Sequence, residues 1–459
     1  MKLRQRWIAI GTAGLAAALV VSIALAYALG WLRPPTPRAT TPMSQSIYVW
    51  QRAWGDPVRR AVVDHASAAD GGLIALAAEV AWKDGVSSTA VVALDHAALA
   101  ASKVPIGLAL RIGPCPTKLL RDPGTIAMLT SIARAAVASA RAGGCEPREL
   151  QIDFDSATAR LDDYRRWIET IAAEVKPMPV TITVLPSWMS SSAFGPLVAA
   201  SAGFVLQVHS VEKARIESAA PTLCDSASAV RWTEQASRYG VPFLVALPTY
   251  GYLAMMDDAG KLTGLIAESD ASALETGSRV REVSARPSAI AELVAHWMGA
   301  RPQAMRGVIW YRMPVDGDRL NWSWPTLARV MRGAVPIGQL VLRCEESSAG
   351  LFELVAANDG DADATLPKSL LAQWSADVAL VGSRRTRGHG VVAEVSESSR
   401  VRASHRRSRR AHSPRRAARD RMDQIGQAHG GQRSCSRRTI IRSSVLHPVG
   451  AQPLREAPR

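Results

Sequence analysis

The chain of 459 residues is long enough for one large domain and a smaller one, and its formal net charge is +15. That charge is local: residues 384–459 hold 19 Arg, no Lys and 5 acidic residues, whereas the other 383 carry 36 basic against 35 acidic side chains. The nearly neutral body excludes a general nucleic-acid-binding role for it, and 5 cysteines without a Cys-x-x-Cys pair exclude a zinc framework.

At the amino end, Lys2, Arg4 and Arg6 precede an uncharged apolar run from Trp7 to Leu32. A bilayer needs about 20 such residues, and a signal-peptide core has about 7–15. Residues 1–33 are therefore expected to form a transmembrane signal anchor with its amino end in the cytoplasm. The protein would be a single-pass inner (cytoplasmic) membrane protein, its globular part periplasmic or extracellular. Ala26-Tyr27-Ala28 offers a cleavage site, and a cleaved chain would be secreted. Residues 34–44, with Pro34, Pro35, Pro37 and Pro42, read as an extended spacer.

Residues 45–335 alternate short apolar runs with longer helical patterns. Strands are predicted at Ile47–Arg52, Leu73–Glu79, Pro105–Arg111, Leu150–Asp155, Val180–Leu185, Phe204–His209, Phe243–Leu247 and Val308–Arg312. Helices are predicted between them, among others at Gly124–Ala142, Arg160–Val175 and Pro287–Met298, the last opening on Pro. Eight βα units in under 300 residues predict a (β/α)8 TIM-like barrel. A doubly wound sheet is the alternative, but it calls for a Gly-rich first turn that is missing.

The fourth strand carries the candidate chemistry. With a period of two, Leu150, Ile152 and Phe154 face the helices, and Gln151, Asp153 and Asp155 face the barrel interior. Carboxylates there need partners, because an unpaired buried charge is costly. The second strand is expected to turn Ala75, Ala77 and Glu79 inward, the third Gly107, Ala109 and Arg111, and the sixth Val205, Gln207 and His209. Neighbouring strands would then set Glu79, Arg111 and Asp153 in a row at the catalytic face. Arg111 would hold one flanking carboxylate ionised and leave a less well-paired one easier to protonate. An internal ion-pair network without chemistry is the plainer alternative.

Trp (13) outnumbers Phe (5). Trp167, Trp232 and Trp297 fall in helical patterns and read as core. Trp50, Trp54, Trp82, Trp188, Trp310, Trp322 and Trp324 fall at or after strand ends, with Tyr250, Tyr252 and Tyr311. Such flat amphipathic rings suit stacking on sugars. The long connection Thr249–Arg286, with a turn at Asp257-Asp258-Ala259-Gly260, is expected to be a binding loop or lid. His209 lacks a second His at ligand spacing, so no metal site is expected. No Walker, HExxH or GxSxG motif suggests a cofactor or another chemistry. If any disulfide forms, Cys115–Cys224 is the pair on one face; Cys145 belongs at the opposite end.

Several segments form a recognisable set: Tyr48-Val49-Trp50-Gln51-Arg52-Ala53-Trp54, the Leu150–Asp155 strand, Leu185-Pro186-Ser187-Trp188, Leu206-Gln207-Val208-His209-Ser210, Ala246-Leu247-Pro248-Thr249-Tyr250-Gly251-Tyr252 and Ile309-Trp310-Tyr311-Arg312-Met313-Pro314. The set resembles the bacterial domain of unknown function 3142 family over Ser46 to Trp374. The resemblance implies a barrel and export, and no particular reaction. More distantly, the fourth strand is similar to that of family 18 glycoside hydrolases, chitinase-like barrels in which it ends in Asp-x-Asp-x-Glu. Asp153 and Asp155 match the aspartates, and Ala157 stands where the resemblance implies the acid. Glu79 is then the first substitute.

Residues 336–382 read as a partial β accessory domain, with strands at Gln339–Leu342, Leu351–Asn358 and near Ala372–Trp374. Residues 383–459 have the Arg-rich composition of GC-rich DNA read out of frame and are expected to be disordered, with no nucleic-acid partner. The leading expectation is a membrane-anchored, exported, glycoside-hydrolase-like barrel for an envelope or extracellular polysaccharide. Glu79 would be its acid or base, with Asp153 and Asp155 as nucleophile, base or electrostatic support. Arg111, Gln207, His209, Trp50, Trp188, Tyr250, Tyr252, Tyr311 and Arg312 would bind the substrate. A non-catalytic glycan-binding protein and a purely structural barrel are the open alternatives.

Overall fold

The computed structural model describes residues 36–209, 222–257, 261–266, 279–318, 320–348 and 351–362, with further strand segments at 369–373, 380–382, 390–396, 400–406 and 422–425. Eight strands form the body: β1 (Ser44–Val49), β2 (Gly72–Lys83), β3 (Ile106–Ile112), β4 (Glu149–Phe154), β5 (Val180–Val184), β6 (Gly203–Gln207), β7 (Phe243–Pro248) and β8 (Met305–Tyr311). They pair in parallel in the order β1-β8-β7-β6-β5-β4-β3-β2, and β2 pairs back to β1. The sheet is therefore a closed barrel. The helices around it are α1 (Asp56–His65), α2 (His96–Ala101), α3 (Pro123–Ala142), α4 (Leu161–Glu174), α5 (Phe194–Ala199), α6 (Ser226–Ser237), α7 (Pro287–Ala300) and α8 (Trp324–Met331).

Local chemistry starts the helices. Asp95, Asp122 and Asp225 cap α2, α3 and α6 by accepting from the backbone N–H three residues on, at 2.9, 2.6 and 2.8 Å. Between strands and helices lies the main apolar layer, which includes Leu150, Ile152 and Phe154 of β4 together with Trp167 and Trp297. Each such side chain contributes about 1.5–3 kcal/mol by leaving water. The indole of Trp167 donates to the carbonyl of Leu120 at 2.8 Å, so its one polar atom is satisfied inside the layer.

The second strand departs from simple alternation. Ile74 and Leu76 stand opposite Gly107 and Ala109, the register shifts between Leu76 and Ala78, and Glu79 then stands opposite Arg111. Its interior residues are Ile74, Leu76 and Glu79, not the expected Ala75, Ala77 and Glu79. One extra residue exchanges the two faces, and no period-2 reading can contain it. Gly107 leaves room at this level: a Cβ there would meet Ile74 Cδ1 at 2.4 Å and Glu149 Cγ at 2.9 Å and would have to displace those side chains.

The expected spacer is also different. Among residues 36–43, Arg38 bridges to Pro302, and the amide of Ala39 donates to the Arg301 carbonyl at 3.0 Å. The amide of Gln303 donates to Pro37 at 2.7 Å. Arg301 is 3% exposed and donates to Met305, Thr41 and Pro42 carbonyls at 3.0, 2.7 and 2.9 Å, and to Thr41 Oγ1 at 3.1 Å. The segment is bound along the lower end of the barrel because its extended, proline-rich backbone leaves carbonyls for Arg301 to fill.

The expected single-pass membrane placement is overturned: among the described residues no helix is long and apolar enough to cross a bilayer. The longest described helix, α3, is amphipathic and carries Arg134 and Arg141 on its exposed side. Residues 7–32, on which that expectation rested, lie outside the described residues.

After β7 the chain makes a three-stranded antiparallel sheet, Gly251–Met256 between Leu262–Ile266 and Arg279–Ser284. The long connection is thus partly a small sheet; residues 258–260 of its predicted turn lie outside the described residues. Leu340–Ser348 and Leu351–Asn358 form a hairpin beyond α8. Gly390–Ser396 and Arg400–Arg406 also pair. Within residues 383–459 these two strands and Met422–Ile425 are described, and the rest lies outside the described residues.

Candidate functional site

Parallel strands in register present one side chain each at the same height, about 4.8 Å apart. At the upper end of the barrel this puts Glu79, Arg111 and Asp153 side by side on β2, β3 and β4. Thr183 of β5 continues the row by donating to Asp153 Oδ1 at 2.8 Å, and Gln207 of β6 donates to the same oxygen at 3.4 Å. Tyr311 of β8 and Tyr48 of β1 close the ring, their aromatic centroids 5.8 Å apart.

The two carboxylates flanking Arg111 differ. Glu79, 16% exposed, is paired with Arg52 through both oxygens and lies 3.5 Å from Arg111. With its oxygens occupied by guanidiniums, Glu79 is better placed to anchor Arg111 than to donate a proton. Asp153 makes no ion pair within salt-bridge range among the described residues. Its carboxyl is pushed up to about 6, first by desolvation and then by the Asp155 charge, against the opposing hydrogen bond from Thr183 and the Arg111 charge. Asp155 stands just beyond β4 at the exposed rim. Desolvation raises its carboxyl too, with Arg111 pulling it back.

Below this row, Tyr48 donates to Gln151 Oε1, and Thr181 donates to Glu149 at 2.6 Å. The barrel interior is polar where such barrels are commonly filled with Val, Ile and Leu. On the far wall, Tyr252 donates to Tyr250 at 3.4 Å, and the Tyr250 hydroxyl meets His209 Nδ1 at 3.2 Å. Burial drives His209 down to about 4, so at neutral pH it is an uncharged ring stacked on Tyr311 at 5.8 Å. Burial also raises the phenols of Tyr48, Tyr250, Tyr252 and Tyr311, which therefore stay protonated as hydrogen-bonding groups.

The fold brings together Glu79, Arg111, Asp153, Asp155, Gln207, His209, Tyr250, Tyr252 and Tyr311, with Trp50 against Tyr48 and Tyr311 at 5.1 and 5.5 Å. It separates others from them. Trp188 is 1% exposed and packs edge-on against Tyr164, so it is core and not a binding surface. Trp310 points outward from β8 and donates to Gln45 at 2.7 Å. Trp54 and Trp322 are also buried, and Trp324 stacks on His65 at 4.2 Å. Arg312 is tied to Asp318 at 2.6 Å in a nearly buried ion pair. Arg312 stays within electrostatic reach of Tyr250, Tyr252 and Tyr311, whereas the tryptophans neighbour the mouth in sequence but are turned away from it by their alternation or loop.

Tyr48, Arg52, Gln151 and Thr183 were not among the expected site residues. Tyr48, Gln151 and Thr183 carried a usable signal, a polar group at the inward phase of an apolar strand. No disulfide joins Cys115, Cys145 or Cys224 to one another, so the expected Cys115–Cys224 bridge does not form. Burial pushes the Cys115 thiol up to about 11. Among the described residues no group of three His, Cys, Asp or Glu is arranged to hold a metal ion.

Comparison with solved structures finds a chitinase from Chromobacterium violaceum at 12% identity and TM-score 0.43, covering 63% of this chain and 98% of that one. The spore cortex-lytic enzyme SleL of Bacillus megaterium is similar at 13% identity and TM-score 0.46, with 66% and 76% covered. The family 18 chitinase of Cycas revoluta, solved as a mutant with (GlcNAc)4, is similar at 11% identity and TM-score 0.43, with 63% and 98% covered. No curated protein matches the chain. Residues 119–316 match the family model described as Domain of unknown function (DUF3142), the family whose motifs the sequence resembles.

Proposed function

We propose that the barrel mouth binds a carbohydrate chain and hydrolyses a glycosidic bond, with Asp153 and Asp155 as the working pair. One observation carries this reading: Asp153 sits in the barrel interior without a cationic partner, beside an arginine whose near neighbour is another carboxylate. A carboxylate kept only for structure would be expected to take that arginine, because leaving it desolvated costs stability. A site that needs an exchangeable proton near neutral pH benefits from the arrangement.

The chitinase-like Asp-x-Asp-x-Glu pattern ends the fourth strand, and here β4 ends at Phe154. By residue spacing its two aspartates fall on Asp153 and Asp155 and its acid on Ala157, so in this chain the proton has to come from the aspartate pair. Ala157 lies in the following loop. Two carboxyl groups this close titrate as a pair, and one proton is retained while the other group is ionised. In the proposed step the pair's proton passes to the leaving-group oxygen as the C–O bond breaks. The remaining carboxylate stabilises the positive charge on the sugar, water adds its oxygen to the anomeric carbon, and the water's proton returns to the pair. Glu79 and Arg52 position Arg111, while Gln207, His209 and the tyrosine hydroxyls offer hydrogen bonds to the sugar.

Binding without cleavage is the second reading, favoured by the exposure of Asp155 at the rim. Incubating the full chain with a polysaccharide panel and assaying new reducing ends separates the two. Hydrolysis should fall as pH rises above about 6 and drop at least 100-fold in Asp153→Asn and Asp155→Asn with no loss of melting temperature. Glycan binding without new reducing ends, unaltered by either substitution, would leave the second reading.

A further inference from the structure

The aromatic and charged groups of the mouth are unevenly presented. Four of the tryptophans near strand ends, Trp54, Trp188, Trp310 and Trp322, are buried, and Trp50 is held edge-on among Tyr48 and Tyr311. A broad open indole face on which a neutral sugar ring would stack is therefore missing from these positions. The side chain of Arg111 is 43% exposed at the centre of the row. Its one ion-pair contact among the described residues is the 3.5 Å approach to Glu79, whose oxygens Arg52 already holds. The planar guanidinium is thus exposed with N–H donors left over beyond Glu79, and its fork geometry matches carboxylate or phosphate oxygens.

We infer that the mouth selects an acidic glycan, with Arg111 receiving a carboxylate or phosphate group carried on the sugar chain. The inference rests on the carbohydrate reading of the site and specifies the substrate class. The groups facing Arg111 set its pH dependence. Glu79 and Arg52 cancel, Asp155 offsets Arg111, and Tyr252 and Tyr311 remain neutral phenols. Asp153 is the variable charge. Protonated, it leaves the row balanced and open to an anion; ionised, it adds a repelling charge. Binding of an acidic sugar should therefore weaken from pH 5 to pH 8, whereas binding of a neutral sugar should not follow Asp153 through a charge term.

The test is calorimetric titration of the full chain with a galacturonate oligomer, the same oligomer methyl-esterified, and a glycerol phosphate polymer, each at pH 5 and pH 8. At pH 5 the acid form should bind at least tenfold more tightly than its ester. That preference should shrink several-fold at pH 8. Arg111→Gln should abolish the preference, weakening the acid form far more than the ester, and Arg111→Lys should retain part of it. Tighter binding of the glycerol phosphate polymer, lost in Arg111→Gln, identifies phosphate as the source of the charge. Equal affinity for acid and ester, or a preference unchanged in Arg111→Gln, overturns the inference and leaves the carbohydrate reading standing. Failure of all three probes to bind overturns both.

Discussion

The two ends of the barrel treat a desolvated ionisable group in opposite ways. At the lower end Arg301 has no acidic partner among the described residues, yet it donates to three carbonyls and a hydroxyl from the entering segment and the start of β8. At the upper end Asp153 accepts from one hydroxyl and, at long range, one amide, and its carboxyl is driven up to about 6. A buried charge whose bonds are satisfied stitches chain segments together. One that is left short of partners costs stability, and natural sites accept that cost where a proton has to move. The lower end is accordingly read as structure and the mouth as chemistry.

That contrast makes predictions of decreasing size. The largest concerns the shell beneath the mouth. Trp188→Ala should cost about 3–5 kcal/mol in chemical denaturation, since it empties a fully buried site against Tyr164, while glycan affinity of the folded protein stays unchanged. A lost affinity at unaltered stability would return Trp188 to the binding surface. Arg301→Leu should cost about 3 kcal/mol by stranding the carbonyls of Thr41, Pro42 and Met305, again with the site intact.

Asp153→Asn should do the reverse and raise stability. The folded carboxyl, near 6, lies above the unfolded value of about 3.9, so the fold favours the protonated form. The cost is therefore fully present above about pH 6 and gone below about pH 4. Removing it should gain on the order of 2 kcal/mol at pH 7.5 and nothing at pH 3.5. Urea melts at the two pH values measure this, and a destabilised Asp153→Asn at pH 7.5 would assign Asp153 to structure. The smallest effect belongs to Glu79→Gln, which leaves Arg52 and Arg111 facing each other at a half-exposed site. Solvent screens that pair, so the expected loss is about 1 kcal/mol or less, read by the same melts.

Much of this architecture was legible in the chain. All eight strand runs, the outward Leu150-Ile152-Phe154 face and the alignment of Arg111 with Asp153 follow from alternation and from the habit of βα units to close into a barrel, whereas Glu79 joins that row only through the bulge in β2. The beginning of β1 was less legible, because Ser44, Gln45 and Ser46 carry little apolar signal, yet they pair with Gly307, Val308 and Ile309. The bulge in β2 could not be read either: it inserts one residue into a run of alanines that look alike on both faces.

The sequence by itself determined which residues alternate, where helices start and which polar groups lie at strand ends, because these depend on neighbours a few positions away. Only the tertiary structure decided which carboxylate Arg52 would neutralise, which tryptophans would be covered and which thiols would remain apart. Those outcomes depend on groups brought together across tens or hundreds of residues. No local pattern records whether Glu79 or Asp153 obtains the guanidinium, and that allocation separates an anchor from a proton-handling group.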